Sequence, residues 1–266
     1  MTRRDSRASL RPTWSGALIA EALKLWTLLS NRILLAVAVL IIVGSGSLFS
    51  MGLVSRLTDP RFAGQAVGAT PLQFVDSVLW AQIVVAILGV LAVTSEYASG
   101  QVRLSLLALP TRLPWLGAKA LVLTVAGFLV GVIGTAISLG GSVFALTGTG
   151  VHYDPELSEI TALCLRSGLY LAAIAAFAVG LTAVLRHVVA GLVSVLALLI
   201  VVPPVLSSIP GIGRLADYTP TSAGRRLISD YETIAQLTPW AGFGVLVAWT
   251  LAALLAAGIL LRARDA

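Results

Sequence analysis

Apolar positions along the chain gather into six long runs separated by polar stretches. Residues 33–54, 75–93, 121–146, 160–185, 188–206 and 240–261 each offer the roughly 20 mostly apolar positions that a helix needs to cross a bilayer. None of the runs alternates with period two, as barrel strands would. Backbone groups left unpaired in hydrocarbon cost several kcal/mol each, so the runs are expected to be helices. The pattern predicts an all-α integral membrane protein of six transmembrane helices, occupying residues 33–266.

Residues 1–32 read differently. Residues 1–11 are polar and arginine-rich, without the apolar core and small-residue cleavage site of a signal peptide, and are expected to be a cytoplasmic tail. From Trp14 the pattern turns amphipathic. Leu18, Ala22, Leu25 and Leu29 fall on one side of a helical wheel, flanked by Ile19 and Trp26. Ser15, Glu21, Lys24, Thr27, Ser30 and Asn31 fall opposite. Such a segment suits the membrane interface, with Trp14 and Trp26 at headgroup level. The other reading is a plain end of the first span.

Between the second and third runs lies the polar stretch 94–120, TSEYASGQVRLSLLALPTRLPWLGAKA. Val102, Leu106 and Leu109 recur at helical spacing, which predicts a short surface helix over residues 99–109, ended by Pro110 and Pro114. The stretch 207–239 is long and interrupted by Pro210, Pro220 and Pro239. A helix over residues 221–231, with Leu227 and Ile228 facing lipid, is expected there, and a loop of this size suggests a cap at the outer mouth.

Composition agrees with the pattern. Hydrophobic residues make up 58% of the 266 positions and charged residues 11%, against about 25% charged in a soluble domain. The net charge of +6 is spread through loops rather than set in a patch with interleaved aromatics, so anionic lipid is the expected partner and nucleic acid is not. With the N-terminus inside, twelve Lys and Arg lie on the cytoplasmic side and six outside. That bias places both termini in the cytoplasm and makes residues 94–120 the first cytoplasmic loop.

No constellation for catalysis stands out. G-x-x-x-x-G-K-[ST] is absent, so the chain is not expected to hydrolyse ATP. G-x-S-x-G and H-E-x-x-H are absent too. His152 and His187 fall on opposite sides of the expected membrane, and His152 with Asp154 and Glu156 reads as a solvated acidic loop, so no metal is expected. Asp76 and Gln82 sit six residues apart on the second run, hence on different helical faces. Gly127 and Gly131 form a G-x-x-x-G, followed by Gly134 and Ser138, which lets helices approach closely inside one subunit or at a subunit seam.

Thr94-Ser95-Glu96-Tyr97, then Gly100, Arg103, Leu106, Pro110, Arg112 and Ala118-Lys119, resembles the first cytoplasmic loop of ABC-2 type transporter permeases in their actinobacterial style. Glu21-Ala22-Leu23-Lys24-Leu25 resembles the family's connecting helix, and Thr219-Pro220-Thr221-Ser222-Ala223-Gly224 its last outer loop. The order and spacing carry the resemblance along most of the chain. It implies a permease subunit in the cell membrane that pairs with a second copy or a paralogue and docks on a separate ATP-binding subunit, where ATP and Mg²⁺ reside; the chain itself holds no cofactor. The loop helix then acts as a coupling helix. Glu96 and Tyr97 would end the second span at the interface, and Gly100 would permit the turn. Arg103, with Leu106 beside it, would face the ATPase. Pro110 and Arg112 would end the coupling helix, and Lys119 would anchor the third span at the membrane surface. Glu21, Lys24 and Trp26 belong to the connecting helix, and Thr221, Ser222 and Gly224 to a possible outer gate. Export of a hydrophobic or amphipathic substrate is implied. A non-transporting scaffold or sensor-associated permease shares these features, and a lipid-modifying membrane enzyme remains a third reading.

Overall fold

The computed structural model describes residues 14–59, 61, 67–98, 112–229 and 237–263. Six of its helical segments are long and apolar enough to span a membrane, namely Leu29–Leu57, Pro71–Tyr97, Leu113–Leu146, Leu157–Leu185, Val188–Ser207 and Pro239–Ala263. The chain is a multi-pass helical membrane protein, with no strand beyond a single bridge between Gly68 and His152 among the described residues.

Helix α1 (Trp14–Thr27) is separate from the first span, α2 (Leu29–Thr58). Leu28 divides them in an extended conformation, at φ −77° and ψ 118°. The second span is broken near its start. A turn, α3 (Pro71–Val75), is capped by Thr70 and Gln73, and α4 (Val78–Ala98) follows after Asp76 and Ser77. Pro71 takes the first helical position, where its missing N–H costs nothing. The third span, α5 (Arg112–Leu146), begins nine residues before the apolar run predicts. Pro114 therefore lies in the first turn of α5, which tolerates proline, and does not end a preceding helix. Residues 99–111, the segment expected to be a surface helix, lie outside the described residues, and with them Gly100, Arg103, Leu106 and Pro110.

The fourth span, α6 (Leu157–Leu185), is the hub. Its apolar window is 78% buried, against 17% for the fifth span. It packs against α4, α5, the last span α10 (Pro239–Ala263) and α7 (Val188–Leu196). Small residues make the closest seam. A Cβ built on Gly127 would lie 2.7 Å from the Leu171 carbonyl oxygen, and one on Gly131 2.5 Å from that of Ser167. The G-x-x-x-G thus serves packing inside the subunit. Past α7 the fifth span widens into a π-turn (Ala197–Val201) and resumes as α8 (Val202–Ser207). The wide turn immediately precedes Pro203 and Pro204, whose rings would crowd the carbonyls of a regular α-turn.

The stretch before the last span folds back into the bundle. A 3₁₀ turn (Gly213–Tyr218) leads into α9 (Pro220–Arg225). Leu227 and Ile228, expected to face lipid, are 1% and 0% exposed. The reason is local: Gly224 lies against Tyr170 and Leu246, and Gly242 of α10 admits the Ala223 carbonyl. Small residues let the segment sink between α6 and α10, so its large apolar side chains go inward.

Candidate functional site

At the end of the bundle where α1 lies, four charged side chains close into a ring. Lys24 donates to Glu21 Oε1 at 2.6 Å and to Glu96 Oε1 at 2.7 Å. Lys119 donates to Glu21 Oε2 at 2.7 Å and to Glu96 Oε1 at 2.8 Å. Glu96 Oε2 accepts a hydrogen bond of 2.7 Å from the indole Nε1 of Trp115. Charges alternate around the ring, two carboxylates against two ammoniums. Buried ions are tolerated only when paired and hydrogen-bonded in this way.

The ring corrects two expectations. Lys119, expected at the membrane surface, has a side chain only 2% exposed. The polar side of α1, expected to face water, turns Glu21 into the protein, and Asn31 in the first turn of α2 is buried with it. One rotation of an amphipathic helix satisfies both faces here because α4 and α5 offer complementary charges, Glu96 and Lys119. Trp14, expected at headgroup level, lays its ring against Gly117 of α5, where a Cβ would come within 2.8 Å. Trp26 is exposed, as an interfacial residue is.

Three elements far apart in sequence are thereby joined. Glu96 is near the last turn of α4, and Trp115 and Lys119 lie in the first turns of α5. They are the two roots of the 99–111 segment. Glu21 and Lys24 fasten α1 to both. Tyr97 packs its ring edge-on to Trp115 at 6.2 Å, and the Arg186 guanidinium sits 5.9 Å from the Tyr97 ring centroid. Arg186 also donates to the Leu260 carbonyl at 3.4 Å. It caps α6 at φ 54°, a left-handed conformation uncommon for a residue with a side chain. The contacts thus run from α1 through α4 and α5 to the α6–α7 junction and the end of α10.

Lys24, outside the spans, shows the electrostatic balance. Burial pushes its pKa down, but the hydrogen bonds and charges of Glu21 and Glu96 outweigh burial and hold it above the ordinary lysine value. A small cavity of about 170 Å³ with a mixed lining opens beside the ring, reached by Thr27, Asn31 and Ser95 on its polar side and by Leu28, Val122 and Leu123 on its apolar side. No group of three or more His, Cys, Asp or Glu side chains is placed to hold a metal among the described residues.

At the opposite end, α9 meets α4. Gln82 Oε1 accepts from Tyr170 at 2.6 Å and from Thr221 at 3.3 Å. Asp76 lies 3.5 Å from Arg225. Asp76 and Gln82 point from different faces of their span, yet both reach the same inserted segment. Ser222 accepts from the Thr219 hydroxyl at 3.1 Å, closing the turn that starts α9. Thr221, Ser222 and Gly224 all lie on α9, with Thr221 against Gln82 and Gly224 against Tyr170 and Leu246.

Of the predicted loop residues, Glu96, Tyr97 and Lys119 come together; Arg112 opens α5. Trp115 was not singled out by sequence reasoning. Its signal is slight: an indole one helical turn before a lysine, on the same face. Comparison with family models and with curated proteins returned no match.

Proposed function

We propose that this chain is the permease subunit of an ABC-2 type transporter, moving a hydrophobic or amphipathic substrate outward with ATP hydrolysed on a separate subunit. The observation that carries the reading is the largely buried ring of Glu21, Lys24, Glu96 and Lys119. It clasps both roots of the 99–111 segment to an amphipathic helix. Force applied to that segment by a partner passes to α1, α4 and α5 together, because parting the ring exposes unpaired charge in a medium of low dielectric.

Two further features support the reading. The sequence has no G-x-x-x-x-G-K-[ST] motif, which agrees with work on the bundle being supplied by a partner. The α9 segment is tied to the far end of the bundle through Gln82, Tyr170 and Thr221, which suits the outer gate of this reading. In this proposal both termini are cytoplasmic, the membrane is the cell membrane, and two permease chains flank one pathway. Arg103 faces the ATPase, with Leu106 beside it.

The test is to co-express the chain with ABC-type ATP-binding proteins from the same genome and purify the complex. The permease is expected to retain the ATPase and to alter its ATP turnover. Arg103→Glu, on the segment, is expected to abolish retention while the permease stays folded. Retention without any change in turnover would favour the scaffold. No retention, or wild-type coupling in Arg103→Glu, would sink the proposal.

A further inference from the structure

On the face of α1 opposite the charge ring, a groove of about 1170 Å³ opens between α1, α2 and α5. Its walls are almost wholly apolar. Leu18 and Trp26 of α1 form its roof, and Val125, Leu129 and Ile133 form an exposed ridge on α5. Arg32 is the only charged residue lining it, at the end where α1 meets α2. Among the described residues Arg32 has no ion-pair partner, since Glu21 and Glu96 are held by Lys24 and Lys119.

The groove has the depth of one leaflet. Its α2 wall runs from Leu29 to Leu40 and its α5 wall from Leu121 to Ile133, 11 and 12 residue steps. At 1.5 Å per residue these span about 16–18 Å, against about 15 Å for half of a bilayer core. An apolar trough one leaflet deep, with an arginine and an exposed tryptophan at its interfacial end, matches a phospholipid in both length and charge. The cation selects an anionic headgroup.

We propose that this groove is a binding site for one anionic phospholipid of the surrounding bilayer, with its acyl chains along α2 and α5 and its phosphate on Arg32. The inference does not depend on the transport reading. It explains how α1 is held on both sides. The charge ring binds its polar face, and the lipid fills the space beneath Leu18, Ala22 and Trp26 on its apolar face.

Native mass spectrometry of the full chain in mild detergent tests the proposal, using phosphatidylglycerol and phosphatidylcholine with identical acyl chains. Wild-type protein is expected to retain phosphatidylglycerol about fivefold better, the preference one cation confers at an anionic surface. Arg32→Gln is expected to erase that preference, and Arg32→Lys to keep most of it. Ala36→Trp, which fills the groove from an exposed position on α2, is expected to displace both lipids; it carries the test alone if Arg32→Gln does not fold. Equal retention of the two lipids by wild type, or retention unchanged by Ala36→Trp, would overturn the site. So would efficient cross-linking of Val125→Cys between copies in bilayers, in a Cys164→Ala background, because a second chain would then cover the groove.

Discussion

Lys119 shows how much one side chain carries. It bridges Glu21 and Glu96 and lies 5.5 Å from the centroid of the Trp115 ring. Replacing it with methionine leaves two carboxylates facing each other with one ammonium between them. Removing one partner of a buried pair typically costs about 3–5 kcal/mol. Lys119→Met is therefore expected to lower the unfolding temperature sharply in detergent. The double variant Glu96→Gln, Lys119→Met is expected to lose less than the sum of the two single changes, which a double-mutant cycle reads directly. Trp115→Phe keeps the ring but removes a hydrogen bond to a charged acceptor, at about 1.5–3 kcal/mol. The pH dependence follows from Lys24. Its folded pKa is raised above the ordinary 10.5, so its contribution is complete below that value and fades as pH rises past it. A spin-label distance between α1 and α5 is expected to stay constant through neutral pH and lengthen only in strong alkali. Glu96 and Lys119 were legible as the facing ends of the second and third spans from their order along the chain. Their burial was not, because a lysine near the end of an apolar run reads equally well as a snorkelling anchor.

Helices α5 and α6 meet where glycines remove the Cβ barrier. Gly131→Val puts carbon where the Ser167 carbonyl and the Gly168 backbone already lie, and backbone cannot rotate away. Overpacking of this kind costs about 1–3 kcal/mol, and the bundle is expected to lose thermal stability accordingly. Gly140 on the same helix has nothing within 4 Å of its built Cβ. Gly140→Ala is expected to be neutral, or stabilising by up to about 1 kcal/mol from helix propensity. The pair separates a packing glycine from an incidental one in a single melting experiment. Helix α1 was legible in its period of 3.6, and its division from α2 is visible only as the extended Leu28. Its rotation was not legible. A wheel has two faces, and sequence alone assigns the polar one to water. Here α4 and α5 supply the charges that draw it inward instead. The α9 segment reverses expectation for the same kind of reason: Leu227 and Ile228 are apolar enough for lipid, and only the neighbouring small residues reveal that the core has room for them.

Six candidate spans among the described residues, an even number, agree with the proposed orientation, in which Trp14 and Ala263 lie on the same side of the membrane. Cys164 is buried and is the chain's only cysteine, so single-cysteine labelling is clean. In a Cys164→Ala background, Ala263→Cys is expected to react with an impermeant maleimide only after cells are opened, and Glu156→Cys in intact cells. Reaction of Ala263→Cys in intact cells would invert the orientation read from the Lys and Arg counts.

What the sequence determined by itself was the solvent of each segment. Long apolar runs have one stable answer in a bilayer, a helix across it, since every backbone group must be paired within its own segment. The span count, the amphipathic character of residues 14–32 and the polar insert after the second span follow from that. Tertiary structure alone decided which charges met. Glu21, Lys24, Glu96 and Lys119 lie as much as 98 positions apart, and no local pattern encodes their pairing. They converge because the packing of α4, α5 and α1 buries Glu21, Glu96 and Lys119 and leaves Lys24 half-buried beside them. A buried ion in a protein embedded in lipid needs a partner, and for Glu96 and Lys119 that partner comes from another helix.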